Sequence, residues 1–360
     1  MPNLKKALDV AIIGCGNIAT RYSEQIQSYT RVNLIGFSDI LKERAKLFVT
    51  EYGGKLYSCL DDILSDPKID AVVNLTIHHA HLDVITRCLK AGKHVHTEKP
   101  FAMTYREAKS LVELAEAKKL HLSSAPITYM GEAQQTAWRV IREGKLGQIR
   151  LIYSEINHGR VETWHPNPEP FYDVGILWDV GPYPITMLTS FFGRVAKVRG
   201  FGRVIHADRK TAVGRSFKIT VPDCVFAIIE LEQGPLIRLS ANFYAKGSKQ
   251  GGSIEIHGDN GRLFLGDFQE FSASVEYAQF GDDYKKVPYL RKPYEGIEFA
   301  RGVKDLSEAI LNRRPHRASA KHAAHVVEVI EGINRSIETG AAIEITSDFI
   351  PHTPMDWAKA

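Results

Sequence analysis

Between residues 8 and 124, short apolar runs alternate with longer segments in which apolar residues recur every three or four positions. Short runs bounded by glycine or polar residues fit buried strands, and the longer spacing fits amphipathic helices. The pattern predicts strands over 10–13, 32–37, 71–75, 94–96 and 120–123, and helices over 18–26, 41–52, 81–91 and 105–118. Alternation of the two implies strand-helix-strand units, and so a doubly wound parallel sheet of the Rossmann type. Gly92 follows one helix and Thr104 precedes another, where caps belong.

Beyond about residue 126 the pattern changes. A helix over 132–143 ends at Gly144, and strand-like segments follow at 149–156, 198–204, 225–231, 236–243, 253–257 and 262–265. Gln233-Gly234 and Asp259-Asn260-Gly261 read as hairpin turns, because Gly and Asn tolerate the positive φ that such turns use. Consecutive hairpins predict an α+β region with a large, open, mainly antiparallel sheet, closed by helices over 299–311 and 320–339. At 360 residues the chain exceeds the size at which single cores stop growing. Two domains are expected, residues 1–125 and 126–360, with the late helices free to pack back on the first.

Composition narrows the function classes. With 44% hydrophobic and 24% charged residues the chain is an ordinary globular one, and its net charge of +4 comes from scattered Lys and Arg. The Arg313, Arg314, Arg317 cluster reads as a solvated helix end, so no nucleic-acid partner is expected. The opening Lys5-Lys6 and the apolar run after it are broken by Asp9, Gly14 and Gly16, which fits a buried strand better than a signal peptide. No apolar stretch approaches the ~20 residues that span a bilayer, so no membrane partner is expected and a cytoplasmic address is the simplest. Cys15, Cys59, Cys88 and Cys224 form no CxxC pair, which implies reduced thiols. His94 and His96 form an HxH on paper but belong to a buried strand, and no other histidine pair stands beside carboxylates at ligand spacing, so no metal is expected.

Gly14-Cys15-Gly16-Asn17-Ile18-Ala19 follows the first strand and opens the first helix. The first glycine permits the turn, the second lets a pyrophosphate approach the backbone, and Ala19 lets helix and strand pack closely. The helix N-terminus then offers N–H groups and a positive dipole end to the phosphates. Asp39 follows the second strand, twenty residues beyond Ala19, where a carboxylate accepts from ribose hydroxyls and repels a 2'-phosphate. NAD is therefore expected over NADP, although Ser38 and Lys42 leave some room for the phosphate. The alternative role for Asp39 is a helix cap.

Lys99, in His94-Val95-His96-Thr97-Glu98-Lys99-Pro100, leaves the strand expected over 94–96 at its C-terminal end, the edge that faces ligands in open α/β sheets. Near an oxidised nicotinamide its ammonium form is disfavoured, which suits proton transfer; the alternative is an ordinary exposed lysine.

Together, Gly14-x-Gly16-x-x-Ala19, Thr76 to His81, Ala91-Gly92-Lys93-His94-Val95 and Glu98-Lys99-Pro100 resemble the glucose-fructose oxidoreductase, inositol dehydrogenase and rhizopine catabolism protein family. The resemblance implies cofactor contacts from Gly14, Gly16, Asn17, Ile18, Ala19, Asp39, Thr76, His81, Glu98 and Lys99, with Lys99 also catalytic. Ile77 and His78 depart from the family's Pro and Asn, so no side-chain contact carries over to His78. Asp179-Val180-Gly181-Pro182-Tyr183 is similar to a second motif, in which Asp179 and Tyr183 join Lys99 in catalysis. Tyrosine there resembles the branch holding glucose-fructose oxidoreductase and dihydrodiol dehydrogenase. The alternative is that Asp179 caps a helix and Tyr183 packs.

The polar, aromatic stretch from His158 to Pro166 suits a sugar site, and Arg160, Trp164, His165 and Trp178 are its expected contacts; an ordinary surface loop is the alternative. The implied activity is NAD-dependent oxidation or reduction at a hydroxyl-bearing carbon of a sugar, polyol or glycoside. Two other activities stay open, an NAD-assisted glycoside elimination without net redox change and a non-catalytic sugar sensor. A homodimer or homotetramer is expected, because the late helices are too few to cover both faces of the second sheet.

Overall fold

The computed structural model describes residues 6–359. Backbone proximity divides the chain into two compact units: the chain up to Ile127 with Glu298–Val327, and Thr128–Ile297 with the chain from Glu328 onward.

In the first unit, β1 (Leu8–Ile13), β2 (Val32–Ser38), β3 (Lys55–Leu56), β4 (Ala71–Asn74), β5 (His94–Thr97) and β6 (Leu122–Ser124) alternate with five helices. These are α1 (Asn17–Gln27), α2 (Lys42–Tyr52), α3 (Leu60–Ser65), α4 (His81–Lys90) and α5 (Tyr105–Lys118). The strands form one parallel sheet in the order β3-β2-β1-β4-β5-β6. The winding direction reverses between β1 and β4, which opens a crevice at their C-terminal ends. Val10, Ile12, Tyr22, Ile26, Phe37 and Val73 pack in its core. Thr104 caps α5 in a reciprocal box: its hydroxyl accepts from the Glu107 N–H, and the Glu107 carboxylate accepts from the Thr104 N–H. The apolar pattern does not show β3 or α3. One has two residues, and the other carries Asp61 and Asp62 in its first turn.

The second unit opens with α6 (Glu132–Arg142), β7 (Ile149–Asn157), α7 (Glu169–Val174), α8 (Ile176–Asp179) and α9 (Pro182–Phe192). Then come β8 (Val195–Arg203), β9 (Asp208–Lys210), β10 (Ser216–Lys218), β11 (Cys224–Leu231), β12 (Leu236–Asn242), β13 (Ile254–Gly258), β14 (Gly261–Leu265), β15 (Val275–Gln279) and β16 (Lys285–Lys286). After α10 (Arg301–Asn312), a part of the first unit, the chain ends with α11 (Ala320–Thr339) and β17 (Ile343–Glu344). The large sheet runs β16-β15-β14-β13-β7-β12-β11-β8-β17. It is mixed rather than uniformly antiparallel, since β7 and β12 pair in parallel. β9 and β10 form a separate hairpin.

Both expected turns join antiparallel strands, but for different reasons. Gly234 has the positive φ, +124°. Asn260 and Gly261 do not, and glycine is required at 261 because a Cβ there would meet the Ala278 carbonyl at 2.7 Å. Along β11, Val225, Ala227, Ile229 and Leu231 are buried while Phe226, Ile228 and Glu230 are exposed. On one face Gly200 and Gly202 of β8 admit Ile333 and Ile337 of α11. On the other, Phe201 stands exposed in register with Phe226.

Candidate active site

The loop after β1 is shaped by its glycines. Gly14 has φ +92°, and a Cβ there would lie 2.7 Å from the backbone of Leu75 and Thr76, so only glycine fits between β1 and β4. Gly16 has an ordinary φ, but a Cβ there would meet nothing within 4 Å. The glycine at 16 leaves open space, as a pyrophosphate lying against the backbone requires. Gly16 is also the N-cap of α1, with no side-chain cap, so Asn17 and Ile18 begin a helix whose own first turn supplies no acidic residue. Ala19 is fully buried against the sheet. These features fit a dinucleotide.

Asp39 is tied to this loop. One carboxylate oxygen accepts from Cys15 N–H at 2.7 Å and the other from Leu41 N–H at 2.7 Å. It does not cap α2, whose N-cap is Leu41. A carboxylate offers about four lone-pair sites, so two bonds leave capacity for ribose hydroxyls. Burial, then Asp39, pushes the Cys15 thiol up to about 12, so it holds its proton. Two apolar residues stand at this edge: Ile40 after β2, which the sequence did not suggest, is fully exposed, and Ile77 after β4 is 69% exposed. Exposed apolar side chains at the ends of the two strands flanking β1 suit a planar base.

At the ends of β4 and β5 the loops are cross-tied. Asn74 donates to Thr97 Oγ1 at 3.0 Å and accepts from the Thr76 hydroxyl at 2.6 Å. His81, buried, has Nδ1 2.8 Å from the Pro100 carbonyl and Nε2 3.0 Å from the Thr76 carbonyl, and burial lowers its pKa. Thr76 and His81 thus hold this edge together through side chain and backbone alike, since the Thr76 N–H also donates to Asn74 Oδ1 at 3.2 Å and the His81 N–H to the His78 carbonyl. Glu98 is buried and its carboxylate accepts from Lys99 N–H at 3.0 Å; Lys99 itself is half-buried just past β5.

In the second unit, Asp179 ends α8 and Tyr183 lies in the first turn of α9 behind Pro182, both half-buried. The N-cap of α9 is Gly181, with no side-chain cap, so Asp179 does not cap this helix. Trp178 is half-buried in α8.

The stretch after β7 forms a 3-10 turn at Val161–Thr163. The Arg160 guanidinium lies 4.3 Å over the Tyr244 ring, Trp164 packs edge-on to His165 and Phe171, and Trp164 is half exposed. Beneath them lies a buried ionic core that the sequence did not suggest. Arg209 donates to Glu162 at 3.0 Å and also to Asp223, and Tyr172 donates to Glu162. Burial raises the Glu162 pKa, but the bonds from Tyr172 and Arg209 outweigh it and hold the group below the usual range. Its partners lie 47 and 14 residues from Arg209 in the chain, beyond any local motif.

Sequence models of known families match both parts of the chain: "Oxidoreductase family, NAD-binding Rossmann fold" over residues 8–125 and "GFO/IDH/MocA C-terminal domain" over 134–264. The chain belongs to the GFO/IDH/MocA family. An uncharacterized oxidoreductase of Schizosaccharomyces pombe is 35% identical over 142 residues, 38% of each chain. Trans-1,2-dihydrobenzene-1,2-diol dehydrogenase of Bos taurus is 25% identical over 302 residues, 82% of this chain and 84% of the relative. The chain spans only 38% to 54% of the length of four oxidoreductase relatives that match it more strongly. Among solved structures, a levoglucosan dehydrogenase in complex with NADH and L-sorbose superposes with a TM-score of 0.82, over 95% of this chain and all of the other, at 20% identity. At that identity the likeness shows the fold. Within the described residues no helix is long and apolar enough to cross a membrane.

Proposed function

We propose that this GFO/IDH/MocA protein is an NAD-dependent dehydrogenase or reductase acting on a hydroxyl-bearing carbon of a sugar, polyol or glycoside. The observation that carries the reading is the space at Gly16 before an uncapped helix, with the Asp39 carboxylate bonded to the same loop. The related dihydrodiol dehydrogenase and the sugar-bound levoglucosan dehydrogenase support the substrate class. Asp39 favours NAD because it meets ribose hydroxyls as an acceptor and a 2'-phosphate as a like charge.

NAD, when bound, supplies the hydride acceptor. Tyr183 takes the proton of the substrate hydroxyl, helped by the positive end of α9, which favours a phenolate. Lys99 stabilises the charge that develops on that oxygen, and Asp179 orients the pair. Arg160, Trp164, His165 and Trp178 form the contacts to the sugar. A screen of sugars, polyols and glycosides for NADH absorbance tests this reading. Net NADH with at least one of them is the expected result, and product release without NADH would assign a redox-neutral elimination instead.

The same reading includes a second copy of the chain against the large sheet. Phe201, Phe226, Ile228 and Leu236 are exposed on the adjacent strands β8, β11 and β12, a patch that isolated soluble chains seldom leave open. Light scattering at micromolar concentration should give a dimer or tetramer, and Phe226→Glu with Phe201→Glu should shift it toward monomer.

A further inference from the structure

Glu98 precedes Lys99, and its carboxylate is gripped from within the first unit. Tyr22 donates its hydroxyl proton to Oε1 at 2.7 Å, and the Lys99 N–H donates to Oε2 at 3.0 Å. Beyond Tyr22 lies His96, with Nε2 3.2 Å from the Tyr22 oxygen. Beyond His96 lies Ser123, with Oγ 2.9 Å from Nδ1. Tyr22, His96 and Ser123 are completely buried, and Glu98 is 9% exposed.

The direction of these bonds follows from the proton inventory. Burial holds His96 down to about 3, so its ring is neutral, with one donor nitrogen and one acceptor. The single proton of Tyr22 goes to Glu98, so the phenol oxygen accepts from His96, and Nε2 carries the imidazole proton. Nδ1 is then the acceptor, and Ser123 donates to it. The chain runs one way, from Ser123 through His96 and Tyr22 to Glu98. Helix α10 closes over it: a Cβ at Gly302 would lie 2.5 Å from His96 Cε1.

We propose that Tyr22, His96 and Ser123 form a positioning relay that fixes the Glu98 carboxylate and, through its bond to the Lys99 N–H, sets where Lys99 stands. The proposal rests on the reading of Lys99 as the proton-handling lysine. The three relay residues are sealed from substrate, so their effect passes through Glu98. A phenylalanine at 22 would fill nearly the same volume, so the hydroxyl contributes direction rather than bulk.

Tyr22→Phe should lower kcat about tenfold or more, as small misplacement of a reacting group does, with KM and NAD affinity within about twofold. In a Glu98→Ala background the same substitution should add nothing, whereas a packing role would give losses that multiply. Nitrogen-15 NMR of histidine-labelled wild type at pH 7 should show His96 as the Nε2–H tautomer, and the Nδ1–H tautomer would overturn the relay. Should Tyr22→Phe not fold, Ser123→Ala takes its place with the same expected pattern. If Lys99→Ala abolishes turnover while Tyr22→Phe turns over like wild type, the relay alone is wrong. If Lys99→Ala leaves turnover intact, the lysine reading fails and the relay with it.

Discussion

The two units prepare their candidate sites from different materials. In the first unit the main chain does most of the shaping: two glycines, an uncapped helix end and a carboxylate bonded to loop N–H groups border the open space at Gly16. In the second unit side chains do it, because the loop after β7 is braced from below by one buried guanidinium shared between two carboxylates. A main-chain site keeps its shape under many substitutions. A site braced by ions depends on single residues, and its ligand preference is correspondingly easy to alter.

The largest expected effect tests that dependence. Arg209→Met should leave Glu162 and Asp223 buried without their cation and cost about 3–5 kcal/mol, read by chemical denaturation. NAD affinity should persist in whatever fraction remains folded, and equal loss of both would remove the contrast between the units.

Next in size, Lys99→Ala and Tyr183→Phe should each lower turnover about 100-fold, near 3 kcal/mol, the usual scale for a positioned acid or base. The Kd for NAD should change by less than about threefold, since neither residue shapes the Gly14 loop.

Acid should single out the first unit. His96 stays neutral in the fold to about pH 3 because it is buried, whereas an unfolded histidine titrates near pH 6.5. Below pH 6.5 the unfolded chain therefore binds a proton that the folded one refuses, and stability falls as pH falls. Going from pH 7 to pH 5 should cost about 2 kcal/mol through this residue. Burial lowers His81, His94, His121 and His316 as well, so in thermal scans His96→Phe should lessen the slope of that part of the profile by about one proton rather than abolish it, and an unchanged slope would show that His96 does not contribute.

The smallest effect concerns cofactor choice. Asp39→Ala should weaken NAD binding about tenfold and narrow its margin over NADP, as measured by fluorescence titration of both. Equal losses for the two cofactors would mean that Asp39 acts only on the loop.

The same division governs how much the sequence disclosed. The strands and helices around the Gly14 loop were legible because buried parallel strands are continuous apolar runs, and because glycine positions report backbone geometry directly. The large sheet was legible as a set of hairpins, but not in its order, since β7 pairs with β12 and β13, which lie far along the chain from it. The β9–β10 hairpin escaped notice because Asp208, Arg209 and Lys210 look like surface residues. Arg209 and the Tyr22–His96–Ser123 relay depend on partners tens of residues apart, and residue type does not announce them. Asp179 and Tyr183 are proposed from a motif, and what the fold adds is that the N-cap of α9 is Gly181 rather than Asp179.

Gly302 constrains one of these buried devices. Because the ring at 96 occupies the space where a side chain at 302 would begin, the two positions form a single steric unit shared by β5 and α10. A lineage that enlarged residue 302 first would overfill this space, and one that shrank residue 96 first would open a hole in it. Either single change weakens the protein, so enlarging residue 302 and shrinking residue 96 together should cost less stability than the two single changes added.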